Sequence, residues 1–362
     1  MRYNCPVNAI TAASLPDFID LSSDTATRPT DAMRRAMADA PVGDEQRGED
    51  PTVNALQEHA AELLGKEGAL FLPSATMANQ IAIRVHTQPG DEVICHELSH
   101  IRLYEGGGPA ALSGCLLAPL AADRGVFSPE QVRAAVRPDD PHFARTRLVC
   151  VENTHNAAGG CVWQPAEVTA VTDAAREMGL GLHLDGSRLL NAAVALGVPA
   201  AAGLAAPFDT VTLCLSKGLG APVGAILAGD AAAIKGPARR WKHVFGGAMR
   251  QAGIIAAAGL YALCHHVDDL RTDHENARLL AEGLATIPGV TLCPPPETNI
   301  VFFDVAGTGL TGDTARERLL AAGVRASGFP GSTRLRFVTH RDVSRADTER
   351  AIEAANHALR SQ

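Results

Sequence analysis

Two residues of opposite charge follow consecutive predicted strands. Asp185 comes after the strand Gly181–Leu184, and Lys217 comes at the end of the strand Thr210–Leu215. Because open α/β sheets bind ligands at the carboxyl ends of their strands, we expect both side chains to face one crevice. A lysine is costly to bury there as mere structure, and its amine suits attack on a carbonyl carbon. An Asp185–Lys217 ion pair that only braces the sheet is the alternative.

A turn after the predicted strand Gly68–Leu72 is suited to an anion. Ser74, Ala75 and Thr76 lead into a predicted helix, and the free N–H groups of a helix N-terminus favour a phosphate. Alone, such hydroxyl residues are more often simple N-caps. Together, the lysine, the acid and the turn are the groups that pyridoxal 5'-phosphate needs: an amine for its aldehyde, a carboxylate for its pyridinium nitrogen and a phosphate site. The sequence therefore predicts that cofactor.

The segment from His96 to His100 matches the zinc motif H-E-x-x-H, which binds a metal when it lies within a helix. Here a predicted strand, Glu92–Cys95, leads directly into the motif, and glycines follow it from Gly106 onward. We therefore expect His96 to be a solvated loop residue, and we predict no metal site. A zinc hydrolase is the alternative reading of the motif.

Strand and helix patterns alternate along most of the chain, which predicts an α/β fold with a mostly parallel sheet covered by helices. Besides the strands named above, the patterns predict a strand at Leu148–Val151. They predict helices at Val53–Leu64, Thr76–His86, Ser128–Val136, Pro165–Met178, Arg188–Leu196 and Met249–His265. A smaller α+β unit follows. Its predicted helices are Leu270–Ala285, Ala315–Ala322 and Ser344–Leu359, and its predicted strands are Val290–Cys293, Asn299–Val305 and Leu335–Thr339. We predict an N-terminal segment over 1–29, a large domain over 30–265 and a small domain over 266–362.

Composition excludes several classes of protein. The 362 residues carry 32 Lys+Arg and 40 Asp+Glu, a net charge of −8 without a basic stripe, so neither nucleic acid nor an anionic membrane is an expected partner. No apolar run approaches the ~20 residues of a membrane span. Eight cysteines without metal or disulfide spacing indicate a reducing cytoplasm. The start of the chain is a poor signal peptide, and we expect it to be retained.

Long motifs across nearly the whole chain from Asp20 resemble the L-threonine aldolase family, low-specificity type. They are Asp20–Pro29, Gly48–Asn54, Glu152–Asn156, His183–Arg188, Leu215–Gly224, Met249–Gly253 and Arg336–His340. The resemblance implies the pyridoxal-phosphate fold type I of aspartate aminotransferase, with a seven-stranded sheet in the large domain. It also implies cleavage of L-threonine or L-allo-threonine to glycine and acetaldehyde.

The resemblance assigns roles to individual residues. Lys217 would hold the cofactor covalently, Asp185 would pair with its ring nitrogen, and His100 would stack on its ring. Phosphate contacts fall to Ser74, Ala75 and Thr76, and Arg250 from a neighbouring subunit joins them. The substrate side is formed by Ser23, Arg188, Arg336 and Tyr104, with Arg188 also counted among the cofactor contacts, and His155 takes the proton of the substrate hydroxyl.

The sequence departs from the family at four positions. Ala75 stands where the phosphate turn usually has glycine, Arg47 stands where a tyrosine is usual, His243 replaces a common lysine, and Ser22 replaces an arginine. The first two bear on cofactor affinity and substrate preference, and none removes a reacting group.

Two other functions stay open. A related pyridoxal-phosphate lyase would act on phenylserine or 3-hydroxyaspartate, or would carry out transaldol transfer or β-elimination. A cofactor-binding protein without catalysis is disfavoured, because a binder would not need the lysine, the acid and the arginines together. The resemblance also implies a homo-oligomer with shared active sites, at least a dimer and by expectation a tetramer.

Overall fold

A seven-stranded sheet forms the centre of the computed structural model, which describes residues 18–360. Its strand order is β2-β8-β7-β6-β5-β3-β4. The strands of the chain are β1 (Ile19–Asp20), β2 (Gly68–Leu72), β3 (Glu92–His96), β4 (Leu116–Leu120), β5 (Thr146–Glu152), β6 (Gly181–Asp185), β7 (Thr210–Cys214), β8 (Ala225–Gly229), β9 (Thr291–Leu292), β10 (Ile300–Asp304), β11 (Val324–Arg325), β12 (Ser327–Gly328) and β13 (Arg334–Val338).

The sheet is mostly parallel, as predicted. Strands β4, β3, β5, β6 and β7 pair in parallel, whereas β8 runs antiparallel between β7 and β2. Consecutive residues of β2 alternate between two apolar clusters, with Phe71 in one and Leu70 and Leu72 in the other. Both faces of the sheet are therefore buried, which is why its strands are almost continuously apolar.

Fourteen α-helices pack around this sheet and the smaller one within the described part of the chain. They are α1 (Asp31–Ala38), α2 (Pro51–Leu64), α3 (Ala75–His86), α4 (His100–Leu103), α5 (Gly108–Ser113), α6 (Pro129–Ala135), α7 (Pro165–Glu177), α8 (Leu189–Leu196), α9 (Ala231–Ala233), α10 (Arg239–Val244), α11 (Gly253–His265), α12 (Leu270–Ala285), α13 (Gly312–Ala321) and α14 (Arg345–Ala358). No helix among residues 18–360 combines the length and the apolar character needed to cross a bilayer.

Local signals fix the ends of several helices. Ser128 and Gln131 form the predicted capping box of α6, in which each side chain bonds the backbone N–H of the other residue. Gly65 ends α2 at φ 62°, a left-handed conformation that glycine adopts without a steric penalty. These two helix boundaries were visible in the sequence.

The C-terminal unit is built on an antiparallel sheet of order β12-β13-β10-β9. The described start of the chain joins this unit: β1 pairs with β11, and Leu21 lies in its core. Along α12, Leu270 belongs to the large core and Ala277 to the small one. The division into domains near residue 266 stays a prediction, and residues 1–17 of the predicted N-terminal segment lie outside the described residues.

Candidate active site

The carboxyl ends of the parallel strands border one cavity of about 450 Å³. Six residues predicted for the site line it, namely Ser23, His100, Tyr104, Arg188, Lys217 and Arg336. They come from the start of the chain, from the loops after β3, β6 and β7, and from β13 of the small unit. The cavity thus lies where a parallel sheet is expected to bind a ligand.

Lys217 follows β7 and reaches the cavity with a half-buried side chain. Its Nζ has no hydrogen bond or ion pair with any residue of the described range, so the alternative of a bracing Asp185–Lys217 pair is not formed. The backbone at this position is anchored, because Thr27 donates a hydrogen bond from Oγ1 to the carbonyl oxygen of Lys217 at 2.8 Å. A tethered backbone and an unpaired amine leave Nζ available to a ligand.

Asp185 ends β6 and is buried beside the cavity. Its Oδ1 accepts hydrogen bonds from the N–H and Oγ of Ser187 at 3.2 and 2.7 Å, and its Oδ2 accepts one from Asn79 Nδ2 at 2.9 Å. Burial acts to raise the pKa of Asp185, but the charges of His100 and Lys217 hold that pKa below its ordinary value. Asp185 is therefore an ionised acceptor near neutral pH.

Arg188 is held by the buried carboxylate of Asp24, which the sequence analysis did not predict as a site residue. Its Nε and Nη2 donate to the two oxygens of Asp24, both at 2.7 Å, which is the bidentate geometry a guanidinium favours. Burial acts to raise the pKa of Asp24, but Arg188 keeps it far below its ordinary value. The ion pair fixes the guanidinium beside the cavity and leaves Nη1 to reach Asn156 Oδ1 at 3.3 Å.

Arg336 lies next to this pair without a carboxylate of its own among residues 18–360. Its guanidinium donates to Ser327 Oγ, Asn156 Oδ1 and the carbonyl oxygen of Ser22 at 3.1, 3.0 and 3.1 Å. Burial and the charge of Arg188 lower the pKa of Arg336. A cation surrounded only by neutral acceptors, with a second cation nearby, creates a site for an anion such as a substrate carboxylate.

His100 begins α4 and shows one ring nitrogen to the cavity. Its Nδ1 lies 2.9 Å from Glu105 Oε1, while its backbone N–H donates to Glu152 Oε2 at 2.7 Å. The other oxygen of Glu152 accepts the N–H of Asn156 at 2.9 Å. The buried carboxylate at the end of β5 therefore sets His100 and Asn156 side by side, and the Tyr104 ring lies 5.5 Å from the imidazole.

The other two histidines of interest are buried. His96 ends β3 and is 2% exposed, so its prediction as a solvated loop residue was wrong. Its Nε2 bonds the carbonyl oxygen of Ala122 at 2.8 Å, and its ring packs edge-on against His155 at 4.7 Å. His155 is 0% exposed and does not line the cavity, and burial lowers its pKa. The H-E-x-x-H segment therefore does not place two imidazoles on one helix.

Comparison with known proteins decides the family. Residues 20–308 match the family model described as Beta-eliminating lyase. The chain is 44% identical over 341 residues to the low specificity L-threonine aldolase of Escherichia coli strain K12, covering 94% of this chain and 98% of the relative. It is 40% identical over 349 residues to low-specificity L-threonine aldolase 1 of Arabidopsis thaliana, covering 94% and 96%.

The chain belongs to the low-specificity L-threonine aldolase family. The resemblance drawn from the motifs is therefore confirmed. Among solved structures, the threonine aldolase of Leishmania major superposes with a TM-score of 0.81 at 21% identity, covering 94% of this chain and 99% of that one. That likeness shows the shared fold, and the expectation of fold type I is confirmed.

The turn predicted to bind phosphate in this threonine aldolase family member accepts the alanine that replaces glycine. Ser74 is the N-cap of α3, and its Oγ accepts the N–H of Met77 at 3.2 Å. Ala75 is the first helical residue, and its φ is not positive, so a Cβ causes no strain there. The N–H groups of Ala75 and Thr76 have no protein partner among the described residues. They fit a phosphate oxygen, and the capping role of Ser74 does not exclude this.

Other predicted positions lie outside the cavity of their own chain. Arg250 is exposed and its Nη1 donates to Asp44 Oδ2 at 3.0 Å. Arg47 is 73% exposed near the same Asp44, and His243 is exposed on α10. The contribution of Arg250 to a neighbouring subunit's phosphate site stays a prediction, as does any effect of Arg47 on substrate preference.

Ligand atoms of His100, Glu105 and Asp185 lie within 4.8 Å of one another, a spacing that a metal ion also bridges. The amide of Asn79 donates into this cluster, to Glu105 Oε1 at 2.8 Å and to Asp185 Oδ2 at 2.9 Å. An N–H donor in that position repels a cation. We therefore interpret the cluster as a hydrogen-bond network and not as a metal centre.

Four side chains important to this network, Asp24, Asn79, Glu105 and Glu152, were not predicted as site residues. Asp24 and Glu152 lie inside motifs that carried the family resemblance, so their place in the sequence was a signal. Asn79 and Glu105 had no local signal, because a helix interior and the end of a short helix carry no chemical pattern by themselves. Only the tertiary structure brings their side chains to the cavity.

Proposed function

We propose that this chain cleaves L-threonine and L-allo-threonine to glycine and acetaldehyde, with pyridoxal 5'-phosphate as its cofactor. The observation that carries the proposal is the cavity itself, which an unpaired lysine and two arginines line, with an ionised aspartate buried beside it. An α-amino acid has one carboxylate for the arginines and one amine for chemistry at the lysine. Membership of the L-threonine aldolase family supports the same reaction.

The residues present fit the cofactor. When bound, pyridoxal phosphate withdraws electrons from the bond between Cα and Cβ of an amino acid and so permits its cleavage. Lys217 would hold the cofactor covalently through Nζ, and Asp185 Oδ oxygens would keep a proton on the pyridine nitrogen. The amides of Ala75 and Thr76 would bind the phosphate, with Ser74 shaping the turn.

Arg336 and Arg188 would bind the substrate carboxylate, assisted by Ser23 at the cavity wall. Arg336 supplies the charge, because Arg188 is already paired with Asp24. A carboxylate fixed at this point restricts rotation of the amino acid about its Cα. The orientation held in this way decides which bond at Cα is cleaved. The arginines therefore determine the type of reaction as well as the affinity for the substrate.

A base must take the proton of the β-hydroxyl group. We propose His100 as the group with direct access, since it lines the cavity with Nε2 free, and we keep His155 as the candidate that the family resemblance implies. Tyr104 lies beside His100 and would contact the substrate side chain. A neutral imidazole is suited to this role near pH 7.

The assembly is proposed as a homo-oligomer, at least a dimer and by expectation a tetramer, with Arg250 completing the phosphate site of a neighbouring subunit. Its exposed position outside the cavity of its own chain supports that role. A cytoplasmic location is proposed as well, supported by seven unpaired cysteines among the described residues, five of them buried.

The test compares wild type with Lys217→Ala, and uses Lys235→Ala as a control because Lys235 is exposed on the surface. Each protein is loaded with pyridoxal phosphate and given L-threonine, L-allo-threonine, L-phenylserine or L-threo-3-hydroxyaspartate. We expect wild type and the control to bind the cofactor with a visible absorption band and to release aldehyde and glycine from L-threonine, and Lys217→Ala to lose both. Cofactor binding without aldehyde from L-threonine or L-allo-threonine would overturn the proposed reaction.

A further inference from the structure

Glu105 is a buried acid that the proposed reaction does not use. It follows α4, and its side chain has 0% exposure. Three donors surround it: Oε1 lies 2.9 Å from His100 Nδ1 and accepts from Asn79 Nδ2 at 2.8 Å, while Oε2 accepts from Gln80 Nε2 at 2.5 Å. Its only ion-pair partner within residues 18–360 is the imidazole of His100.

The negative charge is not required for packing. A buried carboxylate without an arginine or a lysine partner is costly, and a glutamine of the same shape would satisfy the same neighbours. The Oε1 of Gln80 is buried without a hydrogen-bond partner. If the Gln80 amide turned over, this oxygen would accept an N–H from a glutamine at position 105. The charge of Glu105 therefore needs another explanation, and His100 is the group it contacts.

A second chain of hydrogen bonds fixes the amide that joins Glu105 to Asp185. His183 Nε2 lies 3.1 Å from Asn79 Oδ1, and His183 Nδ1 lies 2.9 Å from Thr210 Oγ1. Burial lowers the pKa of His183 to about 4, so this imidazole is neutral. Because Asn79 Nδ2 donates to the two carboxylates, Asn79 Oδ1 faces His183 and accepts its N–H at Nε2. The Asn79 amide is thereby oriented with Nδ2 toward both carboxylates.

Acidic groups face His100 from several elements. They are Glu105 after α4, Asp185 at the end of β6 and Glu152 at the end of β5, while Tyr104 and Lys217 also border the same cavity. Burial acts to lower the pKa of His100, but the hydrogen bond to Glu105 and the three carboxylate charges raise it above its ordinary value. Of the three acids, Glu105 is the one that contacts the ring.

We propose that Glu105 is a positioning residue for His100: its carboxylate holds the proton on Nδ1, which leaves Nε2 to face a ligand in the cavity, and its charge favours proton uptake at Nε2. The assignment of the ring proton stands on the geometry alone. Its consequence for catalysis rests on the proposed function, in which His100 acts on the β-hydroxyl group.

The first test is Glu105→Gln, which removes the charge and keeps an acceptor for Nδ1. Nitrogen NMR of ¹⁵N-histidine-labelled, cofactor-loaded protein reports the charge and tautomer of each imidazole, and the His100 signal is identified by its loss in His100→Asn. We expect the His100 titration to move to lower pH while the proton stays on Nδ1. Glu92→Gln is the matched control, because Glu92 is also a buried acid on this sheet but contacts Arg137 and Thr146.

The second test is Glu105→Met, which keeps the approximate volume and removes the acceptor. We expect the proton of His100 to shift toward Nε2 in this variant. If Glu105→Met does not fold, Glu105→Gln still decides the question. An unchanged His100 titration in Glu105→Gln, equal to that in Glu92→Gln, would overturn the proposal.

Kinetics separate this inference from the proposed function. With L-threonine, we expect Glu105→Gln to lower kcat about tenfold with little change in KM, less than the roughly 10²–10⁴-fold loss of a whole acid–base group. The part of the pH dependence of kcat that reports the titration of His100 should move to lower pH, by the same amount as the NMR titration. If wild type cleaves L-threonine but the His100 NMR signals of Glu105→Gln are unchanged, the proposed function stands and the role of Glu105 is refuted. If the His100 NMR signals shift in Glu105→Gln but wild type does not cleave L-threonine, the role of Glu105 stands and the proposed function is refuted.

Discussion

Arg188 and Arg336 direct their Nη1 atoms at one neutral oxygen, the Oδ1 of Asn156, at 3.3 and 3.0 Å. Two guanidinium groups this close repel each other, and only Arg188 has a carboxylate partner, Asp24. A single amide oxygen compensates the second charge poorly. The pair is therefore preorganised for an incoming carboxylate, which would replace a weak acceptor by a charged one.

Replacing Arg336 by lysine tests that arrangement. Lys keeps the positive charge but loses the planar fork that reaches Ser327, Asn156 and Ser22 together. We expect Arg336→Lys to lower kcat/KM for L-threonine by about 10- to 100-fold, the range of one charge-assisted hydrogen bond. Arg345→Lys, at a 70% exposed side chain, is the control. A kcat/KM for Arg336→Lys equal to that of the control would contradict the clamp.

Changing Asn156 to aspartate places a negative charge between the two arginines. The new carboxylate would form ion pairs with both and would occupy the donors that the substrate needs. We expect Asn156→Asp to raise KM for every amino-acid substrate by at least about tenfold, without lowering the thermal unfolding midpoint. Asn156→Ala frees the same donors, so its KM should rise far less. Steady-state kinetics on wild type, Asn156→Asp and Asn156→Ala measure these KM values. Equal KM values for wild type and Asn156→Asp would refute the role of the two arginines in binding the substrate.

The sequence predicted the reactive groups better than the groups that hold them. Lys217 and Asp185 follow apolar strands, and the rule for parallel sheets was enough to place both at one edge. Glu105 and Asn79 could not be found in this way, because their contacts join α3, the end of α4 and β6. Such contacts depend on how the helices pack on the sheet, which no local spacing encodes.

Strand direction and loop burial were also beyond local patterns. The strands β4 and β8 were not predicted from the sequence. The strand β8 is apolar like its neighbours, yet it runs antiparallel, and an apolar run carries no sign of direction. His96 was expected in a solvated loop because it follows a predicted strand. The strand extends one residue further, and its carboxyl end is covered by the ring of His155.

Asp273 on α12 predicts a dependence of stability on pH. It is 1% exposed, its Oδ2 has no hydrogen-bond partner, and burial together with the charge of Asp24 raises its pKa to about 8. A folded-state pKa above the unfolded value stabilises the fold fully at pH values below about 4. That stability is lost as the pH rises from about 4 to about 8, because the unfolded chain ionises Asp273 over this range whereas the folded protein keeps it protonated.

We therefore expect Asp273→Asn to unfold at a higher temperature than wild type at pH 9, by several degrees, and to show little advantage at pH 5. Thermal unfolding of both proteins at pH 5, 7 and 9 measures the difference. Asp268→Asn, at an exposed position two residues before α12, serves as the control. A difference between Asp273→Asn and wild type that does not grow with pH would show that Asp273 is ionised in the folded protein throughout.

The two histidine candidates for the base, His100 and His155, differ in their access to the cavity. Substitution of His100 should therefore affect mainly kcat, and substitution of His155 mainly stability. His100 lines the cavity, and we expect His100→Asn to lower kcat about 100-fold with little change in the unfolding midpoint. His155 is fully buried, packs on His96 and accepts the N–H of Ala158 at Nδ1 at 3.3 Å.

His155→Asn should therefore cost mainly stability, because it removes ring packing from the interior and leaves kcat within about tenfold of wild type. Measuring kcat for L-threonine and L-allo-threonine beside the unfolding midpoint separates the two effects. If His155→Asn instead lost as much kcat as His100→Asn at an unchanged midpoint, the hydroxyl proton would pass to His155, as the family resemblance implies. The loop after β5 would then have to move when substrate binds, because its imidazole does not reach the cavity in this structure.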